Sequence, residues 1–139
     1  MDKDRYGGFG RVPIMNTVEC RPILVVDDDL DACEALSEFL KLNGYTVACA
    51  ENGQIALAEI RTRPVPPALI LLDMLMPVMD GQTFLTRARQ DPRIKDVPIV
   101  VATADPSVEA PGASAVLGKP VRPERLLRIV RHLVQPIVG

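Results

Sequence analysis

The sequence predicts an open, doubly wound α/β domain: a five-stranded parallel sheet in the order 2-1-3-4-5 with helices on both faces. Short apolar runs alternate with stretches of helical periodicity, the pattern of βα units. Three runs, ILVV (23–26), ALILL (68–72) and IVVA (99–102), show no polar alternation, as strands buried on both faces require. Four of the strands also end in polar residues: Asp27-Asp28, Asp73, Thr103 and Lys119. In open parallel sheets that C-terminal edge is where ligands and chemistry gather.

Residues 1–20 hold Gly, Arg and scattered aromatics without periodicity and read as a flexible extension, with Met15 as an alternative start. The domain proper spans 21–139. Strand 23–26 ends in Asp27-Asp28-Asp29, and Asp29 sits where an N-cap belongs. Residues 30–42 then place Cys33, Leu36, Phe39 and Leu40 on one helical face, with Asp31, Glu34, Glu38 and Lys41 outside. Asn43-Gly44 stops that helix, and YTVACA (45–50) is the second strand. Asn52-Gly53 opens a helix through Arg61, closed by the proline cluster at 64–67. After strand 68–72, Asp80-Gly81 marks a turn and the start of a helix to Gln90. Pro98 leads into strand 99–102, and a strand at 114–117 precedes Gly118-Lys119-Pro120. The last helix opens at Pro123, a favoured first-turn proline, and buries Leu126, Leu127, Val130, Leu133 and Val134. Arg122, Arg125, Arg128 and Arg131 lie near its polar face, a stripe read most simply as solvated.

The helix due between the fourth and fifth strands, fourth of five, is short of chain. Only 15 residues separate Thr103 from Lys119, and they include Pro106, Pro111 and Gly112. A strand of ~5 residues and two connections of ~3–4 leave room for about one helical turn. That helix is expected to be shortened or missing.

Composition bounds the function. A chain of 139 residues, 47% apolar and 24% charged, has room for one globular domain. Net charge −2 and a pI near 5.4 argue against nucleic acid as a partner. The N-terminus has no apolar h-region, and no run approaches the ~20 residues that span a bilayer, so a cytoplasmic protein without membrane contact is expected. Cys20, Cys33 and Cys49 are odd in number and lack metal spacing, and read as small buried hydrophobes. His132, the single histidine, excludes a multi-histidine metal site and reads as a surface residue.

In the order 2-1-3-4-5, strands one and three are neighbours, so Asp27, Asp28 and Asp73 converge in one crevice. Three carboxylates that close repel one another unless a cation neutralises them. Mg²⁺ fits, because it takes one or two carboxylates and keeps its waters. Lys119 and the Thr103 hydroxyl would bring donors from strands five and four. A carboxylate nucleophile, a metal, a lysine and a hydroxyl together make a phosphoryl site.

With ILVVDDD, NGY, AENG, LILLDMLMPVMDG, PIVVATA and GKP in this order, residues 22 to about 135 resemble the receiver domain of two-component response regulators. The resemblance implies that Asp73 accepts a phosphoryl group from a histidine kinase or phosphotransfer protein. It implies Mg²⁺ held by Asp28, Asp73 and the backbone carbonyl of Leu75, with Asp27 holding a metal-bound water. Thr103 and Lys119 would contact the phosphoryl oxygens, and the Lys119-Pro120 bond would be cis. Such a chain is a signalling phosphoprotein that passes its state to a downstream protein partner, rather than a conventional enzyme. Two departures stand out. Family members usually carry an aromatic ring three positions before the lysine, where this chain has Val116, and the fourth-helix segment is cut short. Both put the usual route of readout in question.

Two other readings fit less of the chain. Asp27-x-Asp29 after a buried strand also suits the aspartate-nucleophile phosphatases of haloacid dehalogenase type, with Thr103 and Lys119 as later motifs. Those enzymes need an acidic pair after the lysine, where only Glu124 stands, and they leave Asp73 unexplained. A pseudo-receiver that binds a partner without phosphorylation has no need of an intact acidic set. An FMN site would want a hydroxyl- or glycine-rich first loop, not an acidic one.

Overall fold

The computed structural model describes residues 21–134 apart from Pro77 and Pro106; the expected extension, residues 1–20, lies outside them. Nine elements follow the chain: β1 (Ile23–Val26), α1 (Leu30–Leu42), β2 (Val47–Ala50), α2 (Gly53–Thr62), β3 (Leu69–Asp73), α3 (Gly81–Gln90), β4 (Ile99–Thr103), β5 (Ala115–Gly118) and α4 (Pro123–Leu133). All strand pairs are parallel, and the sheet order is β2-β1-β3-β4-β5, the order the sequence predicts.

The three apolar runs take the middle of this sheet because every residue of β1, β3 and β4 is buried. Successive side chains alternate between two cores. Leu24, Val26, Ile70, Leu72, Ile99 and Val101 face Ala56, Leu57 and Ile60 of α2 and Phe84, Leu85 and Ala88 of α3. Ile23, Val25, Leu69, Leu71, Val100 and Ala102 face Cys33, Leu36 and Leu40 of α1 and Leu126, Leu127 and Val130 of α4. Each buried Leu, Ile or Phe contributes roughly 1.5–3 kcal/mol relative to exposure.

Polar ends set the helix limits. Asp29 accepts from the backbone N–H groups of Asp31 and Ala32, Asn52 from that of Ile55, and Asp80 from that of Thr83. Each satisfies a donor the first helical turn leaves without a partner. Gly44, at φ 96°, takes the left-handed turn after α1.

Some details depart from expectation. β2 starts at Val47, two residues after Tyr45, and β3 and β5 each shift one residue toward the C-terminus. Ser37 is buried in α1 where Phe39 was expected, and Phe39 is half-buried because it flanks the core. Val134 caps α4 instead of extending it. The reading of Cys49 as a buried hydrophobe fails: it is exposed on edge strand β2 and joined to Cys33 by a disulfide. The βαβ crossover lays α1 beside β2 and brings the two Cα atoms to 6.6 Å across 16 residues, a spacing with no sequence signature.

Between β4 and β5 no helix forms among the described residues. Turns replace it, and Val108, Ala110, Ala113 and Val116 cover the flank of the α2/α3 core. Arg89 of α3 holds this segment. Its guanidinium donates to the carbonyl of Gly112 at 2.6 Å and to those of Lys95 and Val97 at 2.8 and 2.9 Å. Gln82 adds a bond to the Glu109 carbonyl at 3.1 Å. One planar, always charged group thus ties the β4–β5 segment, through Gly112, to the connection between α3 and β4, through Lys95 and Val97.

Arg89→Met keeps the apolar stem and removes those donors, so it should lower unfolding free energy by about 2–3 kcal/mol and raise amide exchange across 107–114. Gly81 is a second fixed point. A Cβ there would lie 2.6 Å from Met74 Sδ and 2.7 Å from Met74 Cα, whereas a Cβ at Gly118 meets nothing within 4 Å. Gly81→Ala should therefore cost about 1–3 kcal/mol in urea denaturation, with Gly118→Ala close to neutral.

Candidate functional site

The parallel register pairs Val26 with Leu72 and Asp73 with Ala102, so β1, β3 and β4 end side by side. Asp27 and Asp73, immediately after or at these ends, are buried, at 6% and 5% exposure. Lys119 follows β5, reaches back over the sheet edge, and places Nζ 3.0 Å from Asp73 Oδ1 and 3.5 Å from Asp27 Oδ2. The peptide bond Lys119-Pro120 is cis, as the resemblance implied.

The remaining carboxylate oxygens sort by partner. Asp27 Oδ1 accepts from the Asp29 N–H at 2.9 Å, which aligns the loop carrying Asp28. Asp73 Oδ1 accepts from the Leu75 N–H at 3.2 Å as well as from Lys119. Among the described residues no donor bonds Asp73 Oδ2, so one oxygen of this buried carboxylate has no hydrogen-bond partner there. Asp27, Asp28 and Asp73 each present an oxygen within 4.8 Å of the others.

Burial pushes the Asp73 carboxyl above its ordinary range, and the nearby Asp27 charge adds to this; the Lys119 ammonium and the Leu75 N–H oppose but do not cancel it. On Lys119, burial acts to lower the pKa, but its bonds to Asp73 and Asp27 and their charges outweigh it and raise the ammonium's pKa. The two upward shifts are compatible: one ammonium cannot balance the desolvation and crowding of carboxylates that close. The donors are all oxygen and one of them, Asp28, is exposed. This suits a hard, partly hydrated divalent cation such as Mg²⁺ and would not suit a soft one.

Thr103 is buried at the end of β4, but its hydroxyl is engaged in its own loop: it donates to the Asp105 carbonyl at 3.3 Å and accepts from the Asp105 N–H at 3.2 Å. It stands at the crevice wall, and reaching a ligand there means exchanging those bonds. On the other side the β3–α3 loop folds back through the Gly81 N–H to the Met74 carbonyl at 3.1 Å. Val78 in that loop sits at φ 70°, a left-handed conformation that a β-branched residue adopts only under constraint, at roughly 1–3 kcal/mol. Leu30, two residues after Asp28, and Leu75 and Val78, in the loop after Asp73, form an apolar rim of these segments at 67%, 73% and 73% exposure. This apolar rim was not foreseen, because each residue alone reads as an ordinary loop or first-turn hydrophobe.

Residues 23–131 match the family model for the response regulator receiver domain. The chain belongs to this family. A response regulator receiver protein of Anaeromyxobacter is 41% identical over 111 residues, covering 77% of this chain and 46% of that protein. Response regulator MprA of Mycobacterium leprae is 40% identical over 119 residues, covering 81% of this chain and 50% of its own. RpaA of Synechocystis, a DNA-binding transcriptional regulator, is 33% identical, with 81% and 48% covered. The chain thus spans about half the length of these relatives. Among solved structures, chemotaxis regulator CheY4 of Vibrio cholerae superposes with a TM-score of 0.74 at 32% identity, covering 82% of this chain and 98% of that one. TrrA of Thermotoga maritima, solved with Mg²⁺ and beryllofluoride, gives 0.73 at 30% identity, with 82% and 99% covered. Among the described residues of this receiver domain no helix is long and apolar enough to cross a membrane.

The shift at Asp73 has a sign that stability measurements can read. A carboxyl whose folded pKa is raised disfavours folding above that pKa, and the penalty is relieved as pH falls through it. In chelator at neutral pH, Asp73→Asn should therefore raise the urea midpoint. The gain over wild type should shrink as pH falls through the raised Asp73 titration. A variant less stable than wild type at neutral pH would contradict the assignment.

Proposed function

We propose that this receiver domain is a phosphoacceptor that takes its phosphoryl group from the phosphohistidine of a kinase or histidine phosphotransfer protein onto Asp73. Asp73 Oδ2 attacks phosphorus, an O–P bond forms, and the N–P bond of the donor breaks with the electron pair leaving on the imidazole. The carrying observation is that this oxygen has no bonded donor among the described residues, in a crevice whose other charged groups are already aligned. Lys119, fixed between Asp73 and Asp27, is placed to bind oxygens of the incoming group, and Thr103 to donate once released from Asp105. Asp28, Asp73 and the Leu75 main-chain carbonyl would hold Mg²⁺, with Asp27 bonding one of its waters. When bound, the ion supplies charge neutralisation for the carboxylates and the transferred group. TrrA, solved with Mg²⁺ and beryllofluoride, supports this reading by likeness.

The apolar rim of Leu30, Leu75 and Val78 supports a protein donor, since a small phosphodonor needs no such collar. An aspartate-nucleophile phosphatase remains the weaker reading, because nothing in it employs the Asp73–Lys119 pair. A pseudo-receiver has no use for an acidic set kept within one metal's reach. The relatives' whole-protein activities, including DNA binding in RpaA, belong to chains about twice this length.

Incubation with Mg²⁺ and a small phosphodonor should label the protein once, at Asp73, as an acyl phosphate. Asp73→Asn should lose the label, and stoichiometric labelling of that variant would remove the proposal. Asp28→Ala should weaken Mg²⁺ binding by about tenfold or more without comparable loss of stability, as the loss of one direct ligand requires.

Readout should be local. Val116 has no ring to swing, and the 104–113 segment is pinned to α3 by Arg89 and Gln82. A ligand shifts only an element that it contacts differently in two states. Beryllofluoride should therefore change amide exchange in 73–80 and 103–112 and leave β5 and α4 nearly unchanged. Strong protection across 114–133 would show a second route of coupling.

A further inference from the structure

The disulfide between Cys33 and Cys49 has two unlike ends. Cys33 lies in α1 and is buried, at 3% exposure. Cys49 is exposed on β2, an edge strand of the sheet, where it pairs in register with Val25. An incoming thiol can therefore reach one sulfur of the bond and not the other. Thiol–disulfide exchange depends on that access, because a thiolate must meet the sulfur it attacks. A cystine buried at both ends lacks it.

The surroundings suit the reduced pair as well. In the disulfide neither sulfur carries a proton. Once reduced, the Cys33 thiol has the Val25 carbonyl as an acceptor 4.0 Å away, and the Cys49 thiol has the Cys33 carbonyl at 3.8 Å. Ser37 is buried in α1 with its hydroxyl 3.1 Å from Cys49 Sγ, and among the described residues that sulfur is its only side-chain hydrogen-bond partner. Against a disulfide the hydroxyl must be the donor. Against a Cys49 thiolate the same bond becomes charge-assisted and stronger. Both oxidation states thus find partners in the same surroundings, and neither leaves a polar group of the pair stranded in the core.

We propose that Cys33 and Cys49 form a redox-active pair that exchanges with small thiols and disulfides of the glutathione class through Cys49. In reduction a thiolate attacks Cys49 Sγ. A new S–S bond forms, the Cys33–Cys49 bond breaks, and its electron pair leaves on Cys33 Sγ, which takes up a proton. A second thiolate attacks the small molecule's sulfur in the mixed disulfide. The small disulfide departs, and Cys49 Sγ keeps the electron pair and takes up a proton. Two electrons and two protons have entered the protein, and two small thiols have become one disulfide. Oxidation runs in reverse: Cys49 attacks a small disulfide, and Cys33 resolves the adduct. Reduction releases α1 from β2 one helical turn beyond its cap, since the Cys33 N–H bonds the Asp29 carbonyl at 3.0 Å.

The test uses the full chain with Cys20→Ser, which removes the remaining cysteine. The protein is equilibrated with reduced and oxidised glutathione at a series of ratios, quenched in acid, alkylated and mapped by mass spectrometry. The Cys33–Cys49 cross-link should appear and disappear reversibly along the series, in a single two-electron transition. Cys33→Ser should accumulate a glutathione adduct on Cys49, whereas in Cys49→Ser the remaining Cys33 should be modified about tenfold more slowly or less. A second measurement needs neither variant to fold. Reduction of the intact pair should run at nearly the same rate in buffer and in urea below the unfolding transition, as exchange from the native state requires. A pair that stays reduced at every ratio overturns the proposal. So does a disulfide that is reduced only as the chain unfolds, or an adduct that forms on Cys33 in preference to Cys49.

Discussion

One ammonium holds two buried carboxylates at the ends of adjacent strands, and the site is built around that imbalance. Lys119 reaches both Asp73 and Asp27, yet burial keeps Asp73 reluctant to carry its charge. Two negative charges with one partner in a low-dielectric crevice form a state that a cation or a change in Asp73 can relieve. The fold tolerates this because the apolar runs of β1, β3 and β4 supply stability elsewhere.

The loops that present the site are tightly determined. Gly81 is pressed against Met74, the residue after Asp73, so the start of α3 and the Asp73 carboxylate are set by one backbone contact. Val78 is held in a left-handed conformation within the same loop. Strain and exposed apolar side chains therefore occur together in the loop after Asp73. The opposite wall is different in kind: among the described residues the Thr103 hydroxyl bonds only Asp105.

The absence of a helix between β4 and β5 changes how such a site can communicate. Turns pinned to α3 through Arg89 and Gln82 replace a helix that could slide or rotate. Any movement of Thr103 reaches Asp105 and the pinned segment before it reaches α4.

The sequence by itself determined the strand-end residues and a shortened or missing fourth helix, because each leaves a local mark, and the sheet order followed from the doubly wound fold class. Uninterrupted apolar runs identify doubly buried strands, polar residues at their ends mark the edge where chemistry gathers, and 15 residues that must also hold a strand and two connections leave room for about one helical turn. Asp27, Asp28, Asp73 and Lys119 converge in the structure because parallel register follows from those runs. What only the tertiary structure decided depends on atoms distant in sequence. Cys49 met Cys33 because a crossover laid α1 beside an edge strand; Cys33 is buried as read, and Cys49 is not. Arg89 became the anchor of the 104–113 segment because the Gly112 carbonyl points at a guanidinium that also holds the Lys95 and Val97 carbonyls before β4. Thr103 was recognised by position, but its bonds to Asp105 depend on a turn whose direction no local pattern encodes. Periodicity reports which way a side chain faces, and only packing reports what it meets.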